Sequence, residues 1–245
     1  MLKNERENQI LDLLKEKGFI SVADFSKMLF ASESSIRRDL TNLEKKGIVR
    51  RSYGGAELIV SKSNILPFTT RAYSNVEEKQ IIAKKAAELV SDGDVVFLDQ
   101  SSTCYFLAME LLKKKGITIV TNSLIILNYL SLTDLKVIST GGVLSRDDRT
   151  CLVGESAEKT YDSIFADIAF FSTKSLSSDG VISDCTQEEI SVRKIMMKNS
   201  SKRVYLCNSA KFDTKSPYIQ CSLSDVDILV SENSAQKYEK YCEIL

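Results

Sequence analysis

The sequence predicts an α/β chain in two parts: a small helical domain ending in a two-stranded wing over residues 1–57, then a larger α/β domain over 77–245 built on a mostly parallel sheet. Two observations predict it. Within residues 18–55, two short amphipathic segments meet at a tight turn and lead into an apolar strand, a pair of arginines and a Tyr53-Gly54-Gly55 turn. From residue 77 onward, short apolar runs alternate with amphipathic stretches, the pattern of strands covered by helices on both faces. Between the two, residues 58–76 show no period, hold Pro67 and read as a linker.

In the first domain a helix is expected over 5–17, with Ile10, Leu13 and Leu14 inward and Gly18 ending it. Ser21 reads as the N-cap of the second helix, with Asp24 three residues on and Val22, Phe25 and Met28 or Leu29 buried. Ser32 is expected to cap the third. There Ile36, Leu40 and Leu43 recur at helical spacing and face the core. That leaves Ser34, Ser35, Arg37, Arg38, Thr41 and Asn42 on or near the opposite face. Lys45-Lys46 close the helix, Gly47 caps it, Ile48-Val49 open a strand, and Arg50-Arg51 lead into the glycine turn.

Arginine bonds guanine bidentately, and short hydroxyl and amide side chains suit base edges or phosphates. From Ser35 to Gly55 stand six basic residues against Asp39 and Glu44, whereas the whole chain balances 33 basic with 33 acidic residues. Positive charge gathered on one element of a neutral chain is the footprint of phosphate contact. A helix pair alone also fits a packing module with solvated arginines. The wing and its charge favour double-stranded DNA as the partner, contacted by those six helix residues with Arg50 and Arg51.

Composition removes several alternatives. Histidine is absent, which excludes His-ligated metal, the Ser-His-Asp triad and the Cys-His dyad. Six cysteines are widely spaced without a CxxC pair and read as reduced thiols. The sequence shows neither a signal-peptide pattern nor a long apolar run, so no membrane association and a cytoplasmic location are expected. No cofactor and no metal are expected.

In the larger domain, helices are expected near 77–90, 103–115, 123–131, 154–161 and 187–198. Strands are expected at 95–99, 117–121 and 136–140 and within 167–172, 203–207 and 226–230. Ligands of open α/β sheets sit beyond the carboxyl ends of the strands. Here those ends are polar: Asp99-Gln100-Ser101-Ser102-Thr103, Thr121-Asn122-Ser123, Gly141-Gly142, Ser172-Thr173-Lys174 and Asn208-Ser209-Ala210-Lys211. Amides at the first helix start, with three hydroxyls, make an anion cradle, and the paired glycines let a ligand approach the backbone. Any one junction is most simply a cap. Five on one rim, two of them bearing lysine, point to a small polyhydroxylated anion such as a phosphorylated sugar, its phosphate on the first loop. The candidate effector residues are Asp99, Gln100, Ser101, Ser102, Thr103, Thr121, Asn122, Ser123, Gly141, Gly142 and Lys211, with Asp184, Glu188 and Glu189 as nearby acids.

With both parts assembled, the chain resembles the DeoR family of bacterial sugar-operon regulators. The resemblance rests on SSIRRDLTNLEKKGIVRRSYGGA at 34–56, on Arg71 followed by NVEEKQIIAKKAAELVSDGD at 75–94, and on TNS at 121–123, GG at 141–142 and SAKF at 209–212. It implies a winged helix-turn-helix joined to a domain like the sugar-phosphate isomerases of the ribose-5-phosphate type. It also implies a transcriptional repressor of a carbohydrate operon that leaves operator DNA when a phosphorylated sugar binds. One helix-turn-helix offers few base contacts, so a homo-oligomer, dimer or tetramer, on paired half-sites is expected. The departures lie at the effector rim. The family's Asp-x-Gly-Thr-Thr is Asp99-Gln100-Ser101-Ser102-Thr103 here, its aspartate is Asn208, and its glycine-rich stretch is Ser172-Thr173-Lys174-Ser175. The alternative is an isomerase-type enzyme carrying an accessory DNA-binding domain, with Asp99 or Glu188 as a base of pKa about 6–7. The altered loop and Asn208 argue against it, and no enzyme is expected.

Overall fold

Helix α1 (Lys3–Lys17) ends at Gly18 and is followed by β1 (Phe19–Ser21), α2 (Val22–Met28) and α3 (Glu33–Lys45). The computed structural model describes residues 3–45, 47–59 and 66–245. Local chemistry starts both short helices where the side chains predict. Ser21 Oγ accepts from the Asp24 amide at 3.1 Å, and Ser32 Oγ accepts from the Ser35 amide at 3.3 Å, satisfying amides that the first helical turn leaves unpaired. Strands β2 (Val49–Ser52) and β3 (Gly55–Leu58) form the wing, and β1 joins them in an antiparallel sheet of order β1-β3-β2. Gly55 permits that pairing, because a Cβ there would run into the Ile20 carbonyl and the Phe19 ring.

Ile10, Leu14, Val22, Phe25, Ile36, Leu40 and Leu43 form the core of this part, with Leu29 rather than Met28 completing the α2 face. Leu11, which the helical reading passed over, is fully buried, while Leu13 is only partly so. Each such side chain stabilises the fold by about 1.5–3 kcal/mol on full burial. The chain divides into two compact units, Met1–Ser74 and Asn75–Leu245. The stretch read as a linker therefore differs from expectation: it carries helix α4 (Phe68–Tyr73), which starts at Pro67 and falls in the first unit. Six residues are too few to show a helical period.

The second unit opens with α5 (Val76–Glu88), β4 (Val95–Leu98), α6 (Ser102–Glu110), β5 (Thr118–Thr121), α7 (Leu124–Leu130) and β6 (Lys136–Ser139). A short hairpin, β7 (Val143–Leu144) and β8 (Leu152–Val153), leads to α8 (Glu155–Asp162) and β9 (Ala166–Phe171). Then come β10 (Ser175–Leu176), β11 (Val181–Asp184), α9 (Gln187–Lys198), β12 (Ser200–Leu206), β13 (Tyr218–Ser222), β14 (Ile228–Val230) and β15 (Glu243–Ile244).

Seven strands form one sheet of order β15-β14-β12-β9-β4-β5-β6, parallel at every pairing. Period-two alternation sorts its side chains between two cores. Val96 and Leu98 of β4 join α5, α6 and α7 on one face, while Phe97 joins α8 and α9 on the other. A separate antiparallel sheet, β10-β11-β13, had no sequence signal because its strands are short and β13 joins β11 from over thirty residues away. The chain winds outward through β4, β5 and β6, then returns to place β9 on the other side of β4. That reversal opens a crevice beyond the carboxyl ends of β4 and β9, where open α/β sheets bind ligands. All six cysteines are free thiols, and no helix among the described residues is long and apolar enough to cross a membrane.

Candidate nucleic-acid interface and effector site

Helix α3 turns Ile36, Asp39, Leu40 and Leu43 inward. On its other side Ser34, Arg37 and Arg38 are exposed, and Ser35 and Thr41 are half-buried. Arg38 makes no hydrogen bond or ion pair to any described residue. Arg37 bonds Glu33 one turn earlier at 2.9 Å. Thr41 locks the wing to the helix: its hydroxyl donates to the Arg37 carbonyl at 2.8 Å and accepts from Arg51 Nη1 at 2.8 Å. The Arg51 amide donates to Glu44 at 3.3 Å, and Arg50 pairs with Glu57 across the wing at 2.9 Å. A cleft of 340 Å³ lies between α3 and the wing, lined by Arg37, Glu44, Arg51 and Tyr53. Its basic residues are thus held on one rigid surface.

Two sequence expectations change here. Asn42, expected on the reading face, buries its Nδ2 with no hydrogen-bond partner among the described residues. Asp39, counted against the basic residues of this stretch, is 1% exposed and paired with Arg6 at 2.5 Å, a bond that raises the Arg6 pKa. The causes are linked: Asp39 widens the inward stripe of α3 beyond its three apolar residues, toward Asn42. With Asp39 turned in, the outward face is more basic than its sequence charge. Lys46 lies outside the described residues.

In the second unit the polar loops meet at the β4–β9 crevice. Asp99 follows β4 and is 1% exposed. Its Oδ1 accepts from the Ser101 amide at 2.9 Å, and its Oδ2 accepts from the Ser172 amide at 3.0 Å and Arg193 Nε at 3.2 Å. Asp99 therefore ties the ends of β4 and β9 together at the floor of the crevice. Ser101 caps α6 by accepting from the Cys104 amide at 3.1 Å, and Ser102 and Thr103 are buried. Gln100 donates to Glu189 at 2.6 Å and accepts from Asn122 at 3.4 Å. Asn122 also donates to the Leu152 carbonyl at 3.1 Å. Lys211 donates to Ser172 Oγ at 2.7 Å, which donates onward to the Leu206 carbonyl at 2.5 Å.

Arg193, which the sequence reading missed, anchors this network. It is 2% exposed and lies within 3.2 Å of Asp99 and Asp184, 3.8 Å of Glu189 and 3.0 Å of Gln220. Burial alone would lower its pKa, and Asp184, Asp99 and Glu189 outweigh that and raise it. A signal was present. Glu189 and Arg193 stand one turn apart in the stripe of Ile190, Met196 and Met197, so the pair shares the buried face of α9.

Three expected ligand positions have structural duties. Thr121 Oγ1 accepts from the Ser123 amide at 3.1 Å, and Ser123 Oγ accepts from the Ile126 amide at 3.3 Å. Gly142 has φ 113°, and a Cβ there would meet the Val153 carbonyl at 2.6 Å. Its missing side chain thus serves the approach of the protein's own backbone, while Gly141 faces open space. Two buried carbonyl oxygens at the rim, Asn122 Oδ1 and Asn208 Oδ1, have no hydrogen-bond partner among the described residues. Buried amide oxygens are rarely left so, and each can accept from a ligand hydroxyl.

A helix-turn-helix locked to a basic wing, followed by a parallel α/β unit with a polar crevice, defines a transcriptional regulator with a sensor domain. The DeoR-like helix-turn-helix domain matches residues 6–62, and the DeoR C terminal sensor domain matches residues 74–233. The chain belongs to the DeoR family. Over 98% of its length it is 32% identical to the HTH-type transcriptional regulator GolR of Listeria innocua, covering 96% of that protein. It is 30% identical to the glycerol-3-phosphate regulon repressor of Escherichia coli, over 95% of this chain and 92% of that one. It is 31% identical to the L-fucose operon activator of Haemophilus influenzae, over 98% and 96%. Among solved structures, ribose 5-phosphate isomerase A from Methanocaldococcus jannaschii is similar at TM-score 0.43 and 19% identity, over 57% of this chain and 55% of that one.

Proposed function

We propose that this protein is a repressor of a carbohydrate-utilisation operon, bound to operator DNA through the first unit and released when a phosphorylated sugar binds the second. The observation that carries this reading is the basic face of α3 and the wing, where Arg38 stands exposed with no partner among the described residues and Arg51 is fixed to Thr41. Ser34, Ser35, Arg37, Arg38, Thr41, Arg50 and Arg51 are the DNA-contacting residues of this proposal. Asn42 contributes by packing.

The effector lies over the crevice at Asp99–Thr103, Thr121–Ser123, Gly141, Gly142 and Lys211, where the orphan oxygens of Asn122 and Asn208 suit a polyol. The names of two relatives, a glycerol-3-phosphate regulon repressor and an L-fucose operon activator, support control of carbohydrate genes. The protein acts as a symmetric oligomer in the cytoplasm and catalyses no reaction. Asp99 is committed to Ser101, Ser172 and Arg193, which argues against its serving as a free base.

Selection of bound fragments from a genomic DNA pool, followed by footprinting, tests this. Two half-sites are expected with centres roughly 34–36 Å apart or a multiple of that. Adding phosphorylated sugars should dissolve the complex. A monomer on one unpaired site contradicts the oligomer. Proton exchange into a sugar phosphate catalysed by the protein contradicts the non-enzymatic reading.

A further inference from the structure

Beside the crevice, wholly within the second unit, a cavity of 560 Å³ opens between the β7–β8 hairpin, the start of α8 and the first turns of α9. Its size falls in the range of small-molecule sites, roughly 300–1,000 Å³. Arg146 and Arg149 line it together with Glu158, Gln187, Glu188 and Ser191, and Val143, Leu144, Val153 and Gly154 complete an otherwise apolar wall. Both arginines are exposed and make no hydrogen bond or ion pair to any described residue. The loop that carries them is nonetheless well ordered. Ser145 Oγ, fully buried, accepts from the Asp147 and Asp148 amides at 3.3 Å each. Asp148 accepts from the Thr150 amide at 3.0 Å, and the Ser145 amide closes the hairpin on the Cys151 carbonyl at 2.9 Å. Two guanidiniums are thus presented from a hydrogen-bonded turn.

We infer that Arg146 and Arg149 seat the phosphate of a phosphorylated polyol in this cavity, with its hydroxyls directed to Glu158 and Glu188. The inference rests on the sugar-phosphate reading of the effector and moves the phosphate away from the Ser101–Thr103 loop. That loop is poorly placed for the task in this chain. The Ser101 backbone amide already donates to Asp99, the Gln100 side-chain amide donates to Glu189, and all three hydroxyl residues are buried. A paired arginine seat suits phosphate because each planar guanidinium can offer two parallel N–H donors. Glu158 and Glu188 in the same lining repel a second anion and accept from hydroxyls, which favours one orientation of the ligand. Occupancy also reaches the buried network: Glu188 precedes Glu189, the partner of Gln100, and the Val153 wall follows Leu152, whose carbonyl holds Asn122.

The test is a thermal-shift titration of the full-length protein with hexose and pentose phosphates, the matching free sugars and inorganic phosphate. The wild type should be stabilised by a phosphorylated sugar and not by its free form. Arg146→Gln and Arg149→Gln should each weaken the apparent affinity about tenfold, the double variant should lose the response, and Arg149→Lys should fall between. Ligand-free melting temperatures of the variants check that they fold. A double variant stabilised as well as the wild type by the same sugar phosphate overturns the cavity assignment and leaves the effector reading intact. A wild type unmoved by every sugar phosphate overturns that reading and this inference together. A shift by inorganic phosphate that is equal in wild type and double variant also counts against the arginine seat.

Discussion

Two arginines, one in each unit, do opposite work. Arg38 stands exposed on α3 with no partner among the described residues, whereas Arg193 is 2% exposed among Asp99, Asp184, Glu189 and Gln220. A group that reads a polyanion must stay free until the DNA arrives, and exposure leaves its charge hydrated at little cost. A crevice between strand ends has no such freedom. Its charges lie out of water, where an unpaired ion costs several kcal/mol, so they must satisfy one another before any ligand comes. The DNA-facing unit can therefore lose its function without losing its fold, and the sensor unit cannot separate the two so cleanly.

Arg193→Met tests that contrast most severely. Removing the guanidinium leaves three buried carboxylates facing one another, and breaking such a cluster should destabilise the second unit by about 3–5 kcal/mol. Urea melts followed by circular dichroism should show the second unit unfolding early while the first persists. A single unshifted transition would mean that the cluster contributes little. Arg38→Ala should do the reverse: operator affinity falls by about 1–3 kcal/mol, read by fluorescence anisotropy at fixed salt, with the melting temperature unmoved. Loss of stability there would place Arg38 in packing instead.

Lys211→Ala probes the border between the two behaviours, since its ammonium holds Ser172 at the strand end and lies on the proposed effector rim. It should blunt release by inducer, within the about 1–3 kcal/mol typical of coupling between sites. A normal release curve would remove Lys211 from the effector site. Arg50→Ala should weaken binding to all sequences alike and lower the salt slope by about 1, whereas a base-dependent loss would move Arg50 from phosphate to base contact.

The smallest effect is expected at Asp227. Burial would raise its pKa, and the bonds from Arg203, through Nε at 3.0 Å and the amide at 2.7 Å, outweigh it and lower the value. A depressed folded-state pKa contributes stability above the ordinary carboxylate pKa and loses it as pH falls through the folded value. Asp227→Asn should flatten that acid limb, and an unchanged limb would show the pair to be inert.

The amino-acid sequence by itself determined what a few neighbouring residues can enforce. Ser21 and Ser32 start their helices because a hydroxyl reaches an amide three residues on. Ile36, Leu40 and Leu43 assign a face to α3, and short apolar runs such as Val95–Leu98 announce a parallel sheet because both of their faces are covered. The polar strand ends were legible as well, though not their division of labour. Only the tertiary structure decided that Asp39 meets Arg6, that Asp99 meets Arg193 from 94 positions away, and that Gly142 yields to the Val153 carbonyl. It also decided the short sheet of β10, β11 and β13, whose third strand reaches β11 from far along the chain. Caps and periods are settled within a turn or two of backbone. A buried charge, by contrast, is tolerable only beside the partner that folding brings to it, and nothing in its immediate neighbours names that partner.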